Sequence, residues 1–89
     1  MQDLIKKIRV KNENCLITGA TGKIGEKTAQ MMASCGYNLI LTDNNFKKLK
    51  IVQKKILKNS KQKVFIINCD LSLYKSREKL LKKITNKFK

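Results

Sequence analysis

The stretch Thr18-Gly19-Ala20-Thr21-Gly22-Lys23-Ile24-Gly25 has the residue types and spacing to do chemistry. Its glycines follow a short apolar run and open a segment of helical periodicity. Each has its own reason to lack a side chain. Gly19 allows a tight turn off a strand, Gly22 lets a ligand approach the backbone, and Gly25 lets a helix pack close to a sheet. A helix beginning here offers unbonded N–H groups and the positive end of its dipole, which suits a phosphate anion. The dipole alone contributes only about 0.3–1 kcal/mol per anion. Most of the grip must therefore come from several N–H hydrogen bonds acting together.

A second candidate is Asp43, which ends the next apolar run 24 residues beyond Gly19. A carboxylate roughly 20 residues after such a turn meets the ribose of a bound dinucleotide. Accepting ribose hydroxyl bonds contributes about 1.5–3 kcal/mol. The same charge repels a 2′-phosphate, which favours NAD over NADP. Lys23 acts in the opposite sense, but Asp43 sits at the strand end where the ribose should lie. The alternative role for Asp43 is a plain helix cap. A nucleoside-triphosphate loop competes for the same residues and fails. It needs Gly-x-x-x-x-Gly-Lys-Ser/Thr, whereas Ile24 follows Gly22-Lys23 and Ile17 stands where the first glycine belongs.

Other chemistry is scarce. The chain has no histidine, and its six acidic residues are scattered. Cys15, Cys35 and Cys69 are odd in number and widely spaced, which points to reduced, buried thiols rather than a metal site or disulfide framework. No apolar run of about 18 residues is present to span a membrane. Met1–Val10 carries Asp3, Lys6, Lys7 and Arg9, so it lacks the apolar core of a secretory leader, and a cytoplasmic location is expected. The net charge of +15 raises nucleic acid as a partner. Lysine supplies 19 of the 21 basic residues, however, and only Arg9 and Arg77 offer the bidentate fork that base readers favour. Lys, Asn and Ile share A/T-rich codons, so compositional bias is the preferred explanation and nucleic acid is not the expected partner.

The elements that position these groups alternate. Cys15–Thr18 is a continuous apolar run of the kind that forms a strand buried on both faces. A helix is expected from after Gly25 to about Cys35, with its apolar stripe at Ile24, Thr28, Met31, Met32 and Cys35, ended by Gly36. Asn38–Thr42 reads as a second strand, and Asp43, Asn44 or Asn45 can cap the helix that follows over about Phe46–Lys58. That helix presents Leu49, Val52 and Ile56 on one face. Val64–Asn68 is a third strand. A last helix is expected over about Leu73–Phe88, with Asp70 or Ser72 at its start and Leu73, Leu80, Leu81, Ile84 and Phe88 as its stripe. Leu4, Ile5 and Ile8 suggest a short leading helix over residues 3–9. Residues 1–13 thus read as an N-terminal extension and residues 14–89 as one α/β domain. Alternating strands and helices imply right-handed crossovers and a parallel sheet, order 3-2-1, which is half of a doubly wound sheet.

These residues resemble the short-chain dehydrogenase/reductase family. Thr18-Gly19-x-x-Gly22-x-x-Gly25 is similar to its Thr-Gly-x-x-Gly-x-x-Gly form, and the more usual form places glycine where Lys23 stands. The resemblance continues through Ala29, Gly36, Leu39–Thr42, Asp43 and Leu49 to Asp70-Leu71-Ser72, which looks like the family's Asp-Leu/Val-Ser/Thr signature. It implies a Rossmann-like fold and NAD(P)-dependent oxidoreduction of alcohols and carbonyls, or nucleotide-sugar epimerisation and dehydration in some branches. It also implies that Gly19, Thr21, Gly22, Lys23, Ile24 and Gly25 form the pyrophosphate turn. Asp43 with Asn44 would hold the adenosine ribose, and Asp70 and Leu71 would flank the adenine, although Asp70 is also placed to start a helix.

The family's catalytic Tyr-x-x-x-Lys is not found. Leu41 stands four residues after Tyr37, and Glu78 four after Tyr74. The Asn-Ala-Gly signature that follows a fourth strand is also absent, as is a downstream catalytic serine. Without a tyrosine whose pKa a lysine lowers, hydride transfer lacks its proton partner. The first strand, central in a complete domain, is expected to have an unpaired outer edge. The expectation is a truncated or split cofactor-binding part whose partner is the remaining portion of the same domain, with a stand-alone nucleotide-binding module or a small basic nucleic-acid-binding protein as the alternatives.

Overall fold

The computed structural model describes residues 13–87. The leading helix expected over residues 3–9, and Phe88 of the last stripe, lie outside them. The elements run β1 (Asn14–Thr18), α1 (Lys23–Ser34), β2 (Asn38–Asp43), α2 (Phe46–Asn59), β3 (Val64–Asn68) and α3 (Tyr74–Lys87). The three strands form one parallel sheet in the order β1-β2-β3. Leu16 faces Ile40 and Ile17 faces Leu41 across the first pair, and Leu41 faces Ile66 across the second. This is the expected Rossmann-like α/β arrangement with its sheet open. Among the described residues, β1 is paired on one side only.

Strand alternation divides the sheet into two faces. On one face Ile17, Leu39, Leu41 and Val64 join Ala29 and Ala33 of α1 and Leu49, Val52 and Ile56 of α2 in a single core. The stripe expected on α2 is the buried one, and Lys47, Lys50, Lys54 and Lys58 stand exposed around it. Those lysines thus form a solvated helix face opposite an apolar one. Thr42 points to the other face, where its hydroxyl is buried without a hydrogen-bond partner. On α3 the expected stripe is only partly used. Leu80 is buried beside Ile67 and Cys69, whereas Leu73 and Leu81 are 55% and 63% exposed.

α1 departs most from expectation. It begins at Lys23, one turn earlier than predicted, so Gly25 lies inside its first turn. Its buried residues are Ala29 and Ala33, and of the expected stripe Cys35 alone, at the helix end, is buried. Small residues let the helix axis approach the sheet closely, and the larger ones are displaced sideways. Ile24 is 83% exposed. Ile24, Thr28 and Met32 line an open groove of about 470 Å³ along β1, shared with Cys15, Leu16 and Ile17. The helix ends as expected at Gly36, with φ of 104°. Gly36 N–H donates to Ala33 and Tyr37 N–H to Met32, the paired bonds of a Schellman end.

Two substitutions test this packing by denaturant unfolding. Leu49→Ala empties a fully enclosed position and should cost about 2–5 kcal/mol. Thr42→Val removes a buried, unpartnered hydroxyl at nearly constant volume and should stabilise by about 1 kcal/mol.

Candidate functional site

Because the strands are parallel, all three C-terminal ends lie on one edge of the sheet, and the loops after them gather there. Backbone bonds stitch the outer two loops to the end of β2. Ala20 N–H donates to the Thr42 carbonyl at 3.3 Å, and Cys69 N–H to the Asp43 carbonyl at 2.9 Å. Between them lies a crevice of about 230 Å³ lined by Gly19, Asp43, Asn44, Cys69, Asp70, Leu71 and Ser72. Five of the ten residues singled out from sequence therefore share one concave surface. Thr21, Gly22, Lys23, Ile24 and Gly25 continue from its glycine side into the start of α1. Cys69 is a lining residue that sequence reasoning passed over as a plain buried thiol. Its position directly after β3 was the available signal.

The glycine turn is built by close approach. Gly19 has φ of 62°, the left-handed conformation that lets the chain reverse off β1. A Cβ on Gly25 would sit 2.1 Å from the Gly19 carbonyl oxygen, so only glycine lets α1 start against the turn. A Cβ on Gly22 would meet Gly19 at 3.5 Å, an ordinary contact. The fold itself therefore does not demand glycine at 22. Gly22 is the N-cap of α1 and supplies no capping side chain. The first helical bond runs from Glu26 N–H to the Gly22 carbonyl at 2.8 Å. The N–H groups of Lys23, Ile24 and Gly25 precede it and have no carbonyl within the helix to bond. By contrast α2 is capped, with Asn45 Oδ1 accepting from Lys48 N–H at 3.1 Å.

Asp43 is not a helix cap, because Asn45 fills that role. Its carboxylate turns toward the glycine loop instead. Oδ2 accepts from the Thr21 hydroxyl at 2.5 Å and from Thr21 N–H at 3.0 Å. Oδ1 accepts from Asn44 N–H at 2.7 Å. Partial burial pushes the Asp43 carboxyl up. The Thr21 hydroxyl and N–H, the Asn44 N–H and the nearby Lys48 charge outweigh that and hold it below its ordinary value. Three N–H groups of the turn, those of Ala20, Thr21 and Gly22, are thus engaged within the chain, since Gly22 N–H also donates to the Gly19 carbonyl at 3.1 Å. The N–H groups of Lys23, Ile24 and Gly25 take no part in these bonds.

Asp70 organises the loop before α3. Its Oδ1 accepts from Ser72 N–H at 3.0 Å and from the Ser72 hydroxyl at 2.6 Å, which lowers its pKa. Its carbonyl accepts from Leu73 N–H at 3.1 Å. The helix-cap role weighed from sequence is not what these bonds describe: α3 begins at Tyr74, and Asp70 instead closes a turn onto Ser72 ahead of it, with Leu71 on the crevice. Tyr74 lacks the partner a proton-transferring tyrosine needs. Glu78 accepts from its hydroxyl and pushes its pKa up, opposite to the effect of a lysine. No group of three or more His, Cys, Asp or Glu able to hold a metal ion occurs among the described residues, and no helix among them is long and apolar enough to cross a membrane.

The Asp43 contacts predict a response to acid. Its folded pKa is depressed, so its contribution to stability is complete above the ordinary value near 3.8 and disappears as pH falls through the lower folded value. The Thr21 amide should therefore lose protection against hydrogen exchange, relative to its intrinsic rate, in acid below that value, ahead of Leu41 in the sheet. Gly25→Ala, which drives a Cβ into a carbonyl, should cost at least about 1–3 kcal/mol in a denaturant titration, well above the cost of Gly22→Ala.

Residues 13–89 match the family model described as short chain dehydrogenase. A very-long-chain 3-oxoacyl-CoA reductase of the yeast Vanderwaltozyma polyspora is 41% identical over 63 residues, covering 70% of this chain and 18% of that protein. An alcohol dehydrogenase from the archaeon Thermococcus sibiricus, complexed with 5-hydroxy-NADP, superposes with a TM-score of 0.79 at 29% identity, over 89% of this chain and 33% of its own. A putative D-mannonate oxidoreductase from Haemophilus influenzae with bound NAD gives 0.82 at 22% identity, over 96% and 30%, a likeness of fold. The chain thus spans about a fifth to a third of the length of these relatives. The glycine turn off β1, the open three-stranded sheet and a family match over residues 13–89 agree, and the chain belongs to the short-chain dehydrogenase family.

Proposed function

We propose that this chain is the dinucleotide-binding part of an NAD(P)-dependent oxidoreductase, with NAD the preferred cofactor. The observation that carries the reading is the uncapped start of α1. Its first-turn N–H groups open beside a crevice that also holds Asp43 and Asp70. A diphosphate fits there because Gly22 presents no side chain and the N–H groups of Lys23, Ile24 and Gly25 take no part in the bonds of the turn. The Lys23 ammonium adds positive charge at the same place. Asp43, through Oδ1, accepts from the adenosine ribose beside Asn44, and its anion repels a 2′-phosphate. Asp70 and Leu71 flank the adenine in the crevice. Relatives carry both forms of the cofactor, 5-hydroxy-NADP in the archaeal enzyme and NAD in the bacterial one, so the preference rests on Asp43.

The bound cofactor supplies hydride exchange, and this chain's part is to bind and orient it. No tyrosine here is equipped to move the accompanying proton. That role belongs to further polypeptide, which also supplies a strand for the outer edge of β1. The groove formed by Leu16, Ile24, Thr28 and Met32 is the apolar surface such a segment covers.

Titration calorimetry with NAD tests the reading. The 89-residue chain should release heat on binding, and Gly22→Val should abolish the signal by filling the diphosphate position. Asp43→Ala should weaken NAD by about ten- to a hundredfold, matching a charged hydrogen bond of about 1.5–3 kcal/mol, and should weaken NADP less. Folded protein that takes up neither dinucleotide would sink the proposal.

A further inference from the structure

We infer that Thr21 is a specificity-determining residue, whose hydroxyl and backbone N–H lock the Asp43 carboxylate in the orientation that discriminates between NAD and NADP. The inference rests on the dinucleotide reading above and adds a residue whose role sequence spacing alone does not reveal.

A carboxylate offers about four acceptor positions. Three are occupied within the chain, two on Oδ2 by Thr21 and one on Oδ1 by Asn44 N–H. A single position on Oδ1 is left for a ribose hydroxyl. Asp43 is only half-buried, so packing alone does not set its rotamer, and these hydrogen bonds do. The anchor itself is firm, because Thr21 lies between two residues fixed by backbone bonds. Ala20 N–H reaches the Thr42 carbonyl and Gly22 N–H the Gly19 carbonyl. The carboxylate therefore holds its place relative to the diphosphate turn, and its charge stays at a constant distance from the ribose 2′ position.

The surroundings show what happens without the lock. Lys48 attracts Asp43 from the first turn of α2. Thr21 and Lys48 share a shallow pocket with Glu26 and Lys55, which pair with each other at 3.4 Å. Lys48 is thus the cation toward which a released carboxylate swings. Once it swings, a 2′-phosphate meets less negative charge and keeps Lys48 within reach.

Thr21→Val and Thr21→Ser separate the hydroxyl from the shape of the turn. In calorimetric titrations with NAD and NADP, Thr21→Val should shrink the preference for NAD about tenfold, equivalent to about 1.4 kcal/mol. Thr21→Ser, which keeps the hydroxyl, should retain it. In parallel, NMR titration of the Asp43 carboxyl should show its pKa rising toward the ordinary value in Thr21→Val and unchanged in Thr21→Ser. An unaltered preference in folded Thr21→Val overturns the assignment, and so does a loss of preference in both variants. If the parent chain binds neither dinucleotide, the function proposed above fails and the selectivity role falls with it. The carboxyl titration then shows separately whether Thr21 holds Asp43.

Discussion

The start of α1 presses against the end of β1 at the Gly25–Gly19 approach, and the site is arranged around that contact. A Cβ at 25 would lie far inside van der Waals contact of a carbonyl oxygen. Its absence lets the helix begin immediately off the turn, so that its first N–H groups open at the same edge as the ends of β2 and β3. Gly19 supplies the reversal, through a backbone conformation that side chains disfavour. With those two positions set, the crevice follows from parallel strand geometry. Every loop at that edge is held to β2 by a backbone hydrogen bond, so the candidate ligand-contacting residues rest on the most buried strand of the sheet.

The core shows the same economy of size. Ala29 and Ala33 face the sheet on α1, whereas Leu49, Val52 and Ile56 do so on α2. The small pair lets α1 lie low over β1 and β2, and the larger trio fills the wider space under α2. Ile24, Thr28 and Met32 of α1 line the groove along β1, and Met32 also packs against the core. Charge plays little part in holding these layers together. One ion pair, between Lys55 and Glu26, bridges the two helices among the described residues, and exposed pairs of this kind contribute at most about 1 kcal/mol.

The order and type of elements were legible because strand runs such as Val64–Asn68 are apolar and bounded by polar residues, and because Gly36 marks a helix end by a conformation that other residues avoid. The α2 stripe was equally clear, since one face of that helix alone carries large apolar side chains. On α1, periodicity identified an apolar side but not its neighbour. The alanines that pack give a weak hydrophobic signal, and Ile24, Thr28 and Met32 give a strong one. At the site, spacing linked Asp43 to Gly19 and the family resemblance added Asp70, and the three line one crevice. It could not show which of Asp43, Asn44 and Asn45 caps α2, because all three side chains are capable of it. Only the fold shows that Asn45 does so, leaving the Asp43 carboxylate to reach Thr21 22 residues earlier. Such a contact between distant segments has no local signature.

The sheet's strand order carries a kinetic meaning. Each strand lies beside its immediate predecessor in sequence, so every pairing closes over a single intervening helix and the ordering entropy is met in small steps. Such a half-sheet can assemble in the direction of translation, β2 docking on β1 and β3 on β2 as each leaves the ribosome. β1 is the earliest of the three to emerge, and, like those of β3, its outer backbone groups are taken up by no described strand. During synthesis it is the surface exposed longest to chaperones and to mispairing.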